Sequence, residues 1–157
     1  MEFTSPSQGR LTFEETFRAI TSYADEQPEE QYKLIIGTDS QPHIDNVCFV
    51  TAIIIHRVGK GARYFFRRMY KHFMNSMRQR IYYETYLSLE AATLITAKLA
   101  ENGNEQLNVE IHLDVGEQGE TKELIREVVG MVIGSGFQAC IKPDSYGASK
   151  VADKYTK

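Results

Sequence analysis

Residues 47–55 read Val-Cys-Phe-Val-Thr-Ala-Ile-Ile-Ile, a run with no charge and a single hydroxyl. β-branched and aromatic residues at this density favour extended backbone. Successive strand side chains point to opposite faces, so a strand that is apolar at every position has to be covered on both sides. The run therefore predicts a central strand in a sheet with helices on both faces. A second apolar run, Leu34-Ile35-Ile36, ends at Gly37-Thr38-Asp39-Ser40-Gln41. A carboxylate at the end of a buried strand is costly unless charge or hydrogen bonds compensate. Asp39 either begins a turn, as Asp commonly does, or is the first carboxylate of a metal site.

Around these two strands the chain reads as one domain over residues 12–157, preceded by a loose arm over 1–11, and its length suffices for a single core. Thr12-Phe13-Glu14-Glu15 fits a capping box. Phe13, Phe17, Ile20 and Ala24 follow at helical spacing, which predicts a helix over 13–26. Strands are expected over 33–39 and 47–57. Gly59-Lys60-Gly61 is a turn, and a third strand over 62–69 completes an antiparallel meander. Ile81, Leu87, Ala91, Leu94, Ile95 and Leu99 carry a long helix over 76–101 with no Gly or Pro inside it. A fourth strand over 108–115 puts Val109, Ile111 and Leu113 on one side and Glu110, His112 and Asp114 on the other. A helix over 121–133, a strand over 137–142 and a short helix over 149–155 finish the chain. The expected fold class is α/β: an N-terminal helix, then β-β-β-α-β-α-β-α, forming a mixed five-stranded sheet.

Charge is segregated. From Arg57 to Arg80 there are eight Lys and Arg residues and no Asp or Glu, so the remaining chain holds all 21 acids against ten bases. Such a segment is either a solvated hairpin and helix start or a phosphate-contact surface beside an acidic site. On the second reading Arg67, Arg68, Lys71 and Arg78 are the candidate nucleic-acid contacts. No apolar run reaches the roughly 18 residues of a membrane span, and the N-terminus has no secretory pattern. Cys48 and Cys140 lack Cys or His partners at zinc-ligand sequence spacing, and read as reduced thiols in predicted strands of a cytoplasmic protein.

The order of elements resembles the ribonuclease H fold, and the acids fall where that fold keeps metal ligands. The resemblance implies Asp39 at the end of the first strand, Asp114 on the strand that pairs beside it, Glu84 early in the long helix and Asp153 on the terminal helix. Glu90 competes with Glu84: six residues apart at about 100° per residue, the two face directions about 120° apart. Asp144, after the fifth strand, competes with Asp153. His112 shares the side of Asp114, either as a hydrogen-bonded structural residue or as an aid to water activation. Two divalent cations about 3.5–4 Å apart can activate water and stabilise a leaving oxygen in phosphodiester hydrolysis. Carboxylates from several elements suit such a pair, because Mg²⁺ and Mn²⁺ prefer oxygen donors.

A longer match lies in Ile36-Gly37-Thr38-Asp39-Ser40-Gln41, Glu84-Thr85, His112-Leu113-Asp114-Val115-Gly116, Gly119-Glu120-Thr121 and Lys142-Pro143-Asp144-Ser145-Tyr146 through Val151-Ala152-Asp153-Lys154. These segments resemble the YkuK family of bacterial ribonuclease H-like proteins from about residue 10 onward. The resemblance implies a Mg²⁺- or Mn²⁺-dependent nuclease acting on RNA, DNA or a hybrid. The alternative is a non-catalytic module of the same fold that binds nucleic acid or protein.

Overall fold

The structure is a computed structural model that describes all residues except Phe73, Asn75, residues 104–106, Gln118 and Lys157, and only the backbone of Tyr146 and Ser149. Its elements in chain order are β1 (Glu2–Ser5), β2 (Gly9–Thr12), α1 (Phe13–Glu26), β3 (Tyr32–Pro42), β4 (Asn46–Arg57), β5 (Gly61–His72), α2 (Met77–Glu101), β6 (Asn108–His112), α3 (Lys122–Gly134), β7 (Gln138–Cys140) and α4 (Tyr146–Thr156). The sheet runs β2-β1-β5-β4-β3-β6-β7. β3, β4 and β5 form the expected antiparallel meander, whereas β6 and β7 add in parallel beside β3.

Among the described residues the sheet thus has seven strands where five were expected. The extra two come from residues 2–12, read from sequence as a loose arm. They form a hairpin that turns at Gly9 with φ +76° and touches β5 where Thr4 pairs with Phe66. Phe3 is fully buried at its centre, and Leu11 packs against the same cluster. Two apolar residues in a short polar segment carry almost no periodic signal. The hairpin is specified instead by the free edge of β5, a tertiary feature.

Helices cover both faces. On one, α1, α2 and α3 lay Phe17, Ile20, Ala91, Ile95, Leu124 and Val128 over Leu34, Ile36, Ile53, Ile55 and Ile111. On the other, α4 lays Ala148 and Ala152 over Ile35, Ile54, Val50 and Ala52. β4 is buried on both faces because its two sets of alternating side chains serve these two layers. The Thr12 capping box closes α1 as its sequence requires, with Thr12 Oγ1 accepting from the Glu15 amide at 3.1 Å and Glu15 Oε1 accepting from the Thr12 amide at 2.9 Å.

One glycine sets the height of α4. A Cβ on Gly37 of β3 would lie 2.6 Å from the Cβ of Ala148, so the helix sits where only a bare backbone leaves room. That approach brings the later turns of α4, with Asp153, toward the end of β3. Among the described residues no helix is long and apolar enough to cross a membrane.

Candidate active site

The parallel register of β3 and β6 pairs Gly37 with His112. Two residues further along each chain, Asp39 and Asp114 come together at the carboxyl ends of these central strands. Open α/β sheets characteristically offer ligand crevices at such ends. Strand alternation turns Asp39 toward α4, while its neighbours Thr38 and Ser40 face α2. Thr38 Oγ1 lies 2.8 Å from Ser88 Oγ and 3.0 Å from Thr51 Oγ1, a buried hydroxyl chain that fixes α2 against the strand. Ser40 Oγ donates to Glu84 Oε2 at 2.5 Å, and Arg80 Nη1 lies 3.4 Å from the same hydroxyl. Glu84 therefore reaches the strand end from the opposite layer.

The four acids named from sequence converge electrostatically. The Asp39 carboxyl is pushed up to about 7, first by burial and then by the charge of Asp114. The Ser40 amide opposes that rise, and Asp153 and a hydrogen bond to the Asp114 carboxyl add to it. Burial also holds Glu84 well above the usual carboxylate range, against the Ser40 hydroxyl, with Asp39 and Asp114 contributing. Carboxylates gathered this closely repel one another, and a divalent cation among them would relieve the cost. The donors are all hard oxygens, the set that suits Mg²⁺ or Mn²⁺.

Asp39, Asp114 and Asp153 line an open cleft of about 520 Å³, with Lys142, Lys150 and Ser145 on its walls. Lys142 Nζ is 3.1 Å from Asp114 Oδ1. Its backbone is held against the strand loop by an N–H bond to Val115 O at 2.9 Å, and a Cβ on Gly116 would lie 3.0 Å from the Lys142 Cβ. The two competing acids sit elsewhere. Glu90 pairs with Arg67 at 3.9 Å and accepts from Tyr86 Oη at 3.4 Å. Asp144 is absent from the cleft walls, and its charge is felt at Cys140.

The basic segment does not form one surface. On β5, Arg67 and Lys71 face α2, the latter with its ammonium 5.5 Å from the Tyr83 ring, whereas Arg68 faces α4 and donates to Tyr155 O at 2.7 Å. Arg78 pairs with Glu127 at 2.8 Å. Arg57 is buried between Tyr23 and Tyr32, and Lys60 pairs with Glu30. Strand alternation splits the run, and local acids absorb much of it. Arg80 alone of the run is placed beside one of the four acids, Glu84, among the described residues, and the cations on the cleft wall, Lys142 and Lys150, lie in the C-terminal segment. That segment stands out in the sequence only as a family signature, and a Lys immediately before Pro-Asp-Ser carries no chemical signal by itself.

Comparison with known proteins agrees with this architecture. The family model described as Ribonuclease H-like matches residues 15–157. The uncharacterized protein YkuK of Bacillus subtilis (strain 168) is 35% identical over 169 aligned positions, which cover 99% of this chain and 96% of that protein. No solved structure matches at comparable significance.

Proposed function

The chain belongs to the YkuK family of ribonuclease H-like proteins, and from that premise we propose that it is a metal-dependent nuclease hydrolysing nucleic-acid phosphodiester bonds. The observation that carries this reading is the convergence of Asp39, Asp114 and Asp153 on one cleft, with Glu84 tied to the same strand end through Ser40 and the Asp39 carboxyl raised to about 7. Asp39 and Asp114 would hold Mg²⁺ or Mn²⁺, with Glu84 and Asp153 completing the donor set. Paired divalent cations supply activation of water and neutralisation of the leaving oxygen.

The chain's own groups have separate tasks. Ser40 fixes the Glu84 carboxylate, and the Thr38–Ser88 contact fixes the helix that carries it. Lys142 and Lys150 offer ammonium groups on the cleft wall, where a phosphate would sit. Arg67, Arg68, Lys71 and Arg78 would contact flanking backbone from two sides of the β5 end, once drawn from their internal partners.

A second reading, a non-catalytic nucleic-acid- or protein-binding module, is favoured by the Lys142–Asp114 ion pair. An ammonium on a ligand carboxylate is also how a chain without metal would neutralise that acid. Labelled RNA, DNA and hybrid oligonucleotides incubated with the purified protein in Mg²⁺ or Mn²⁺ discriminate the two. The nuclease reading expects cleavage abolished by chelator and by Asp39→Asn or Asp114→Asn, both still folded. Unchanged cleavage in both variants would remove the assignment. Salt-sensitive, metal-independent binding without cleavage would establish the module.

A further inference from the structure

A second group of potential ligands lies beside the acidic centre, on the part of the sheet that faces α4. Glu110 and His112 alternate onto one face of β6, and Cys140 of β7 pairs directly across from His112. One donor atom from each of the three residues lies within 4.8 Å of the other two. His112 Nε2 is 3.1 Å from Glu110 Oε1, and Cys140 Sγ is 3.5 Å from the same oxygen. Glu110 and His112 are each 6% exposed, and Cys140 is partly open to solvent. We infer that Glu110, His112 and Cys140 form a binding site for a thiophilic divalent cation of the zinc class, distinct from the oxygen-only centre at Asp39 and Asp114.

The spacing fits a tetrahedral ion. With the usual zinc bond lengths, tetrahedral geometry sets ligand atoms about 3.4 Å apart for nitrogen and oxygen and about 3.6 Å apart for sulfur and either. The two contacts to Glu110 are already close to these edges. The donor set also selects the metal: a thiolate and an imidazole favour zinc over Mg²⁺, which the neighbouring carboxylates prefer. Three protein ligands leave a fourth position for water. Lys33 Nζ, 3.4 Å from Glu110 Oε2 and on a half-exposed side chain, supplies the balancing charge in the metal-free chain and can swing to solvent.

A fastening role suits the location. β7 has three residues, pairs among the described residues only with β6, and leads into the segment that carries Lys142 and Ser145. An ion spanning both strands would pin this edge and with it one wall of the cleft. Metal bound only to the folded chain raises its stability.

Co²⁺ is the direct probe, because thiolate ligation gives a near-ultraviolet charge-transfer band. The full chain titrated with Co²⁺ is expected to show this band at one equivalent, and Zn²⁺ to displace it and raise the melting temperature. The band should persist in Cys48→Ser and in the Asp39→Asn/Asp114→Asn double variant. Cys140→Ser should lose it, and His112→Gln should weaken Zn²⁺ binding at least about tenfold, with circular dichroism checking that each chain is folded. A band absent from the unmodified chain, surviving Cys140→Ser or lost in the double carboxylate variant would overturn the site. If Cys140→Ser does not fold, the His112→Gln titration decides alone, and Zn²⁺ affinity unchanged there overturns it as well.

Discussion

The hydroxyl of Ser40 donates to the carboxylate of Glu84 at 2.5 Å, joining the end of β3 to the second turn of α2 immediately beside Asp39. The contact connects two layers of the fold, and it brings an acid on the α2 face to the strand end that carries Asp39. Ser40→Ala removes the anchor and keeps every proposed ligand. Mn²⁺ affinity and cleavage are each expected to fall about 10–100-fold, the usual cost of losing a group that orients a ligand. Isothermal titration with Mn²⁺ checks it, and affinity equal to the unmodified chain would make the contact incidental.

Gly37 and Ala148 set the seat of α4. Gly37→Ala would overlap the Ala148 methyl and is expected to cost about 1–3 kcal/mol in urea unfolding, as overpacking does. The double variant Gly37→Ala/Ala148→Gly relieves the closest contact and should recover part of that loss, with the His112 carbonyl still 3.1 Å from the new Cβ and a helix-propensity cost of about 1 kcal/mol remaining. Failure of the second change to rescue would place the strain elsewhere.

The raised Asp39 carboxyl sets the pH dependence of the metal-free chain. In the folded chain Asp39 keeps its proton to about pH 7, whereas the unfolded chain releases it near the ordinary Asp value of 3.8. Between these values the folded state binds more protons, so stability falls as pH rises through the window. Asp39→Asn should remove the Asp39 share of this decline, leaving that of the raised Glu84 carboxyl, and stabilise the chain at pH 8 in chelator by about 1–3 kcal/mol, discounted for partial exposure. Divalent binding has to displace the same proton, so Mn²⁺ affinity should increase with pH up to about 7. Urea unfolding at pH 5 and pH 8, with and without Mn²⁺, reads both effects; stability rising over the window in chelator would contradict them.

Lys142 is expected to separate metal binding from turnover. Lys142→Met leaves Asp114 without its ammonium partner, so Mn²⁺ should bind several-fold more tightly. Cleavage at saturating Mn²⁺ should nevertheless drop about tenfold or more, because a cation facing the phosphate is gone. Full activity in this variant would confine Lys142 to neutralising the metal-free site.

Much of this architecture is legible in the sequence because its signals are local and periodic. The all-apolar run of β4, the Thr12 capping box and the alternation of Glu110 and His112 each follow from spacing alone, whereas the strand expected over 108–115 stops at His112 and leaves Asp114 two residues beyond its end. The choice between Glu84 and Glu90 does not, since a helix rotation cannot be oriented without knowing what the helix packs on. In the structure Ser88 meets Thr38, and that contact turns Glu84 toward the strand end and leaves Glu90 to Arg67. The N-terminal hairpin and the dispersal of the basic run are tertiary in the same sense. One depends on an open edge of β5, the other on which face each β5 residue takes. Glu110 and Cys140 are far apart in the chain, and only the parallel pairing of β6 with β7 brings them together.

The acids at the ends of β3 and β6 are proposed to form a divalent-metal centre. Mn²⁺ binding followed by electron paramagnetic resonance, in the unmodified chain and in Asp39→Asn and Asp114→Asn, decides whether they do. The expected result is saturable binding to the unmodified chain, weakened at least about a hundredfold in each folded variant. Equal Mn²⁺ binding in all three proteins would contradict it.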